Sequence, residues 1–147
     1  MGRRIAIAQT RLMDQSFAKL PVYVIEDSAL VLRQLVALVR ATGLAEVVGT
    51  ADDANKALSD IASLRPDVVL IDLHLRVGSG MDVIAGMKQA GCPAISIALT
   101  NHATQMVRDA ACAAGVDYFY DKTSEFMLAI ARIGEIARAR VAREDRH

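Results

Sequence analysis

Tryptophan is absent from the 147 residues, and aromatics of every kind make up only 4%. A core has to be aliphatic, built from Val, Ile, Leu, Ala and Met. There are two cysteines, Cys92 and Cys112, which form neither a disulfide framework nor a zinc spacing. Net charge is also lacking, with 17 Lys and Arg against 17 Asp and Glu. That balance argues against nucleic acid as a partner, since such binders carry a basic excess. No stretch approaches the roughly 18 apolar residues that span a bilayer. The apolar run behind Arg3 and Arg4, Ile5 to Ala8, is too short for a signal peptide. These features lead us to expect a cytoplasmic chain with no membrane partner.

What is present is hydrophobic content, 53%, enough for one domain and too much for wholesale disorder. Charge is unevenly placed. Residues 1–20 carry Arg3, Arg4, Arg11 and Lys19 against Asp14 alone, and residues 132–147 are also basic on balance. The body between them is therefore acidic, which suits a cation or a basic partner.

From residue 21 short apolar runs alternate with helical spacing. Val22 to Ile25 reads as a strand, and Ser28 fits an N-cap before Leu35 and Val39. Gly43 ends that helix. A strand over 46–51 and a helix from Asp52 or Asp53 to about Ser63 follow. Val68 to Ile71 is unbroken apolar sequence, as in a strand buried on both faces, and it ends at Asp72. Gly78-Ser79-Gly80 leads to a helix from about Met81 to Ala90. A strand over 94–99 ends at Thr100, a helix runs from 104 to 114, and Tyr118 to Tyr120 forms a last strand before Asp121 and Lys122. Ser124 caps a final helix. Strict alternation of strand and helix predicts an α/β fold with a parallel, doubly wound sheet.

In such sheets ligands bind beyond the carboxyl ends of the strands. Those ends offer Glu26, Asp27, Asp72, Thr100 and Lys122. Two unit charges ~4 Å apart repel by roughly 4 kcal/mol at an effective dielectric near 20. Three carboxylates in one cleft thus need a proton or a cation. Mg2+ tolerates few protein oxygens and keeps its own waters. An ammonium and a hydroxyl beside it suit phosphoryl oxygens.

The segments Val22 to Ser28, Val68 to Leu75, Ile97 to Asn101 and Gly115 to Lys122, with Gly80, resemble the receiver domain of two-component response regulators. The resemblance covers roughly residues 21–140. It implies a flavodoxin-like (βα)5 fold with strand order 2-1-3-4-5, and the following roles. Asp72 accepts a phosphoryl group from a phospho-histidine donor. Mg2+, or Mn2+ in its place, is held by Asp27, Asp72, the backbone carbonyl of His74, and Glu26 mainly through water. Lys122 contacts the phosphoryl oxygens, as does the backbone amide of Asn101. Thr100 and Phe119 form the switch. His74 and His102 flank the path of hydrolytic water and are candidates, with Asn101, for setting the phosphoryl lifetime. Thr123, Arg76 and Asn101 stand where the family often has proline, proline and a small residue.

The expected organisation is an N-terminal extension (1–20), a receiver (21–143) and a charged tail (144–147), without an output domain. The implied partners are a sensor histidine kinase or phosphotransfer protein and a protein target. A homodimer through the face of the 104–114 helix, the 118–120 strand and the final helix is a further implied arrangement. Such a domain is not an enzyme beyond its own phosphoryl transfer and autodephosphorylation. Two alternatives are a receiver that serves as a constitutive interaction module and a flavodoxin-type redox protein. The latter wants a Ser/Thr/Gly-rich loop after the first strand and aromatics around the flavin, whereas Glu26-Asp27-Ser28 stands there and Trp is absent.

Overall fold

The computed structural model describes residues 18–75 and 77–144. The expected extension, apart from residues 18–20, and the last three residues lie outside that range. Among the described residues five strands alternate with five helices: β1 (Leu20–Ile25), α1 (Ala29–Ala41), β2 (Ala45–Ala51), α2 (Ala54–Leu64), β3 (Val68–Asp72), α3 (Gly80–Gln89), β4 (Ile95–Thr100), α4 (Gln105–Ala114), β5 (Tyr118–Asp121) and α5 (Phe126–Glu144). All strand pairs are parallel, in the order β2-β1-β3-β4-β5. This is the flavodoxin-like arrangement. β1 takes in Leu20, and α5 runs on to Glu144, one residue into the expected tail.

Caps set most helix starts where the sequence places them. Ser28, Asp53, Ser79 and Thr104 each accept a backbone amide of the first turn. Gly43, just past α1, has φ 71°, the left-handed conformation glycine adopts without strain. The last helix is a correction. Ser124 does not cap it; its amide donates to Asp121 Oδ1 at 3.2 Å. The helix begins at Phe126, and the Glu125 carbonyl accepts from Leu128 and Ala129. Asp121, ending β5, takes the amides of both Thr123 and Ser124. Its own amide donates to Glu125 Oε1 at 2.9 Å. The two carboxylates thus hold Ser124 within the turn, ahead of the helix.

Strand alternation splits the interior into two cores. Val22 and Val24, Val68 and Leu70, Ile97 and Leu99, and Tyr120 pack beneath α1 and α5. Tyr23 and Ile25, Val69 and Ile71, and Ala98 pack beneath α2, α3 and α4. β3 is buried on both faces, so each of its large aliphatic side chains contributes roughly 1.5–3 kcal/mol. Tyr23 is a fully buried aromatic in this largely aliphatic interior. The register shifts beside it, and a Cβ on Gly49 would come within 2.9 Å of its ring. Its hydroxyl donates to Asp60 Oδ2 on α2 at 2.6 Å. Burial, followed by that carboxylate, holds the phenol well above its ordinary pKa.

Candidate functional site

Ladder bonds that run one residue past the strands carry the polar side chains to a single rim. The Glu26 amide donates to Ala51, that of Leu73 to Leu99 and that of Lys122 to Thr100. The β3–α3 loop is held from beneath by close backbone packing. A Cβ on Gly80 would collide with the Asp72 carbonyl and lie 2.7 Å from Leu73 Cα, so only glycine fits there.

Within this frame the Lys122 ammonium donates to both Glu26 oxygens, at 2.7 and 2.9 Å, and to Asp72 Oδ2 at 3.3 Å. Glu26 and Asp72 are buried, and Thr100 is fully so. Asp27 is exposed. One carboxylate oxygen from each of Glu26, Asp27 and Asp72 lies within 4.8 Å of the others. Three acids thus face one ammonium. Burial above all, and then the neighbouring Asp72, push the Glu26 carboxyl up to about 7 against the pull of Lys122. An oxygen-only donor set that keeps a proton for want of positive charge suits a hard divalent cation.

Two matching turns complete the rim. Asp72 Oδ1 accepts the amide of His74 at 3.1 Å, and Thr100 Oγ1 accepts that of His102 at 3.0 Å. Thr123 Oγ1 bonds Asn101 Oδ1 at 3.3 Å, which ties the Lys122 loop to the Thr100 loop. Glu26, Asp27, Asp72, His74, His102 and Lys122 line one open cleft of about 570 Å³, and Asn101 lines it with them. A larger cleft, about 810 Å³, lies at the opposite end of the sheet around Leu20, Asp67 and Ile95. It contains none of these groups.

Phe119 is not in the cleft. It packs with the core beneath α2, α3 and α4, and the Arg108 guanidinium lies 4.5 Å from its ring centroid. Alternation puts Thr100 on that same face, beyond Ala98. Glu26, Asp72 and Lys122 continue the opposite face, beyond Val24, Leu70 and Tyr120. Sequence reading missed the part played by Asp121 and Glu125 in shaping the Lys122 loop. Their spacing, an acid at each end of a five-residue turn, was the available signal.

A parallel sheet of this order, with acids and a lysine gathered at its carboxyl rim, defines a receiver-type signalling domain. Comparison with known proteins agrees: the chain matches the response regulator receiver domain over residues 22–133 and belongs to that family. A protein-glutamate methylesterase/protein-glutamine glutaminase of Koribacter versatilis is 34% identical over 88 residues, covering 60% of this chain and 24% of that protein. The chain thus matches about a quarter of that relative's length. A nitrate/nitrite response regulator homolog of Haemophilus influenzae is 28% identical, with 86% of this chain and 61% of that protein covered. Among solved structures, the signal receiver domain of a NarL response regulator from Mycobacterium tuberculosis superposes with a TM-score of 0.76 at 27% identity. That match covers 82% of this chain and 97% of the other. Among the described residues no helix is long and apolar enough to cross a membrane.

Proposed function

We propose that this receiver is a phosphorylation switch with Asp72 as acceptor. The observation that carries the reading is the Lys122 ammonium, which bonds the buried carboxylates of Glu26 and Asp72 in the cleft that the exposed Asp27 also lines. Oδ2 of Asp72 attacks the phosphorus of a phospho-histidine donor, from a sensor kinase or phosphotransfer protein. The P–N bond breaks, and the leaving imidazole takes a proton. Lys122 balances the charge that collects on the phosphoryl oxygens, and the Asn101 amide adds a donor. Asp27, Asp72 and the His74 carbonyl would hold Mg2+, or Mn2+ in its place, with Glu26 acting through water. When bound, the ion supplies further charge neutralisation.

The acyl phosphate brings about −1.5 to −2 charges. The Thr100 hydroxyl turns toward it, and Phe119 occupies the space released. The surface of α4, β5 and α5 then differs between the two states. That difference sets affinity for a protein target, or for a second copy of the chain. His74, His102 and Asn101, lining the cleft, set how fast water removes the phosphoryl group. The domain's chemistry is confined to its own phosphorylation and dephosphorylation.

The test is incubation with acetyl phosphate and Mg2+, followed by intact mass. Wild type gains one phosphoryl group and Asp72→Ala gains none. Wild type that stays unmodified ends the proposal.

A further inference from the structure

His74 and His102 lie side by side over the cleft, with ring centroids 4.6 Å apart and planes at 76°. Both are exposed. We propose that the two imidazoles form a site for a borderline divalent cation of the zinc, nickel or copper kind, seated above the Asp72 cleft and distinct from the carboxylate cluster below.

Three observations carry this. The convergence is built by the backbone: each histidine sits two residues past a strand end, and each amide is pinned by the side chain ending that strand, Asp72 Oδ1 or Thr100 Oγ1. β3 and β4 are adjacent and in unbroken register from Val68–Ile95 to Asp72–Leu99, so the two turns leave the sheet side by side, offset by one residue, and the rings meet. Secondly, among the described residues no hydrogen bond occupies a ring nitrogen of either histidine. Both rings are free to turn a nitrogen toward a shared ion about 2.0–2.1 Å away. Thirdly, the cleft beneath holds three carboxylates against one ammonium, so even with a divalent ion bound there it is no more than neutral and sets no net charge against a cation at the mouth. Imidazole nitrogen selects zinc, nickel and copper, whereas Mg2+ prefers the oxygens below.

An ion held there covers the approach to Asp72 and obstructs a phosphodonor. This consequence, unlike the binding itself, rests on the Asp72 reading.

The test titrates Zn2+ into the full chain in the presence of saturating Mg2+, followed by calorimetry and by the imidazole proton resonances. A Cys92→Ser/Cys112→Ser background removes thiol ligands. One site is expected, with both His74 and His102 resonances perturbed. His74→Ala or His102→Ala should weaken it by at least the roughly 10–100-fold that losing even an outer-shell partner costs. Asp72→Asn and His147→Ala should leave it in place. The double histidine variant should still bind Mn2+ at the carboxylates, which certifies its fold. Undiminished Zn2+ binding by that variant, or loss of binding in Asp72→Asn instead, overturns the proposal. In the phosphorylation arm, Zn2+ should suppress phosphoryl incorporation in wild type but not in the double histidine variant. If no phosphate is incorporated even without Zn2+, the Asp72 reading fails while the binding result still decides the metal site.

Discussion

Lys122 and Glu26 are joined by two hydrogen bonds, 2.7 and 2.9 Å, both shorter than the 3.3 Å between the same ammonium and Asp72. In this state the lysine is first a partner of Glu26. The acceptor carboxylate is held by the looser contact.

Removing the ammonium therefore strands a buried acid pair. Lys122→Met should lower stability by roughly 3 kcal/mol at pH 8 without divalent ions, the low end for a broken buried pair because a carboxyl can take up a proton. Urea unfolding in chelator measures this. The double variant Lys122→Met/Glu26→Gln should recover much of the loss.

The Glu26 carboxyl, raised to about 7 mainly by burial, makes metal-free stability depend on pH. Between about 4.5 and 7 the folded state holds a proton that the unfolded chain has released. Its contribution is complete below about 4.5 and declines as pH rises through about 7. The urea midpoint of wild type relative to Glu26→Gln should fall across that interval. Mg2+ should bind more tightly above it, since binding displaces the proton.

Gly80 abuts the acceptor strand. In Gly80→Ala the new methyl collides with the Asp72 carbonyl and sits 2.9 Å from Ile71 Cγ2. Overpacking of this kind costs about 1–3 kcal/mol. Because the displaced backbone carries Asp72, phosphoryl incorporation should slow even below the melting range. A stable variant with unchanged incorporation would refute this.

Arg108 covers the Phe119 ring at 4.5 Å. Arg108→Ala should lower stability by about 0.5–1 kcal/mol, the lower end for a cation–π contact, since both partners are only half-buried. It should also let the ring sample its inward position without phosphate, detectable in the Phe119 ring resonances.

Much of this was legible in the sequence. The run Val68 to Ile71 announced a doubly buried central strand, and the residues ending each run named the rim. The caps Ser28 and Asp53 were readable because a short oxygen-bearing side chain before an apolar-periodic stretch has one obvious use. Ser124 misled because Asp121 and Glu125 bond the amides of Ser124 and Asp121 and hold Ser124 inside the turn before the helix, an arrangement that depends on where β5 ends. The contact of the two histidine rings was beyond reach. It depends on the register between β3 and β4, which period alone does not fix.

The division of the sheet into two faces separates what this molecule must keep from what it can vary. Glu26, Asp72 and Lys122 answer to α1 and α5, whereas Thr100 and Phe119 answer to the helices on the far side. Under the proposed switch, α4 can be rewritten for a new target without touching the face that carries the carboxylates, whereas α5 belongs to that face and changes there bear on both. A single-residue slip in β4 would carry Ile97 and Leu99 out of one core and Ala98 out of the other, so the position of Thr100 is secured by the packing of the whole strand.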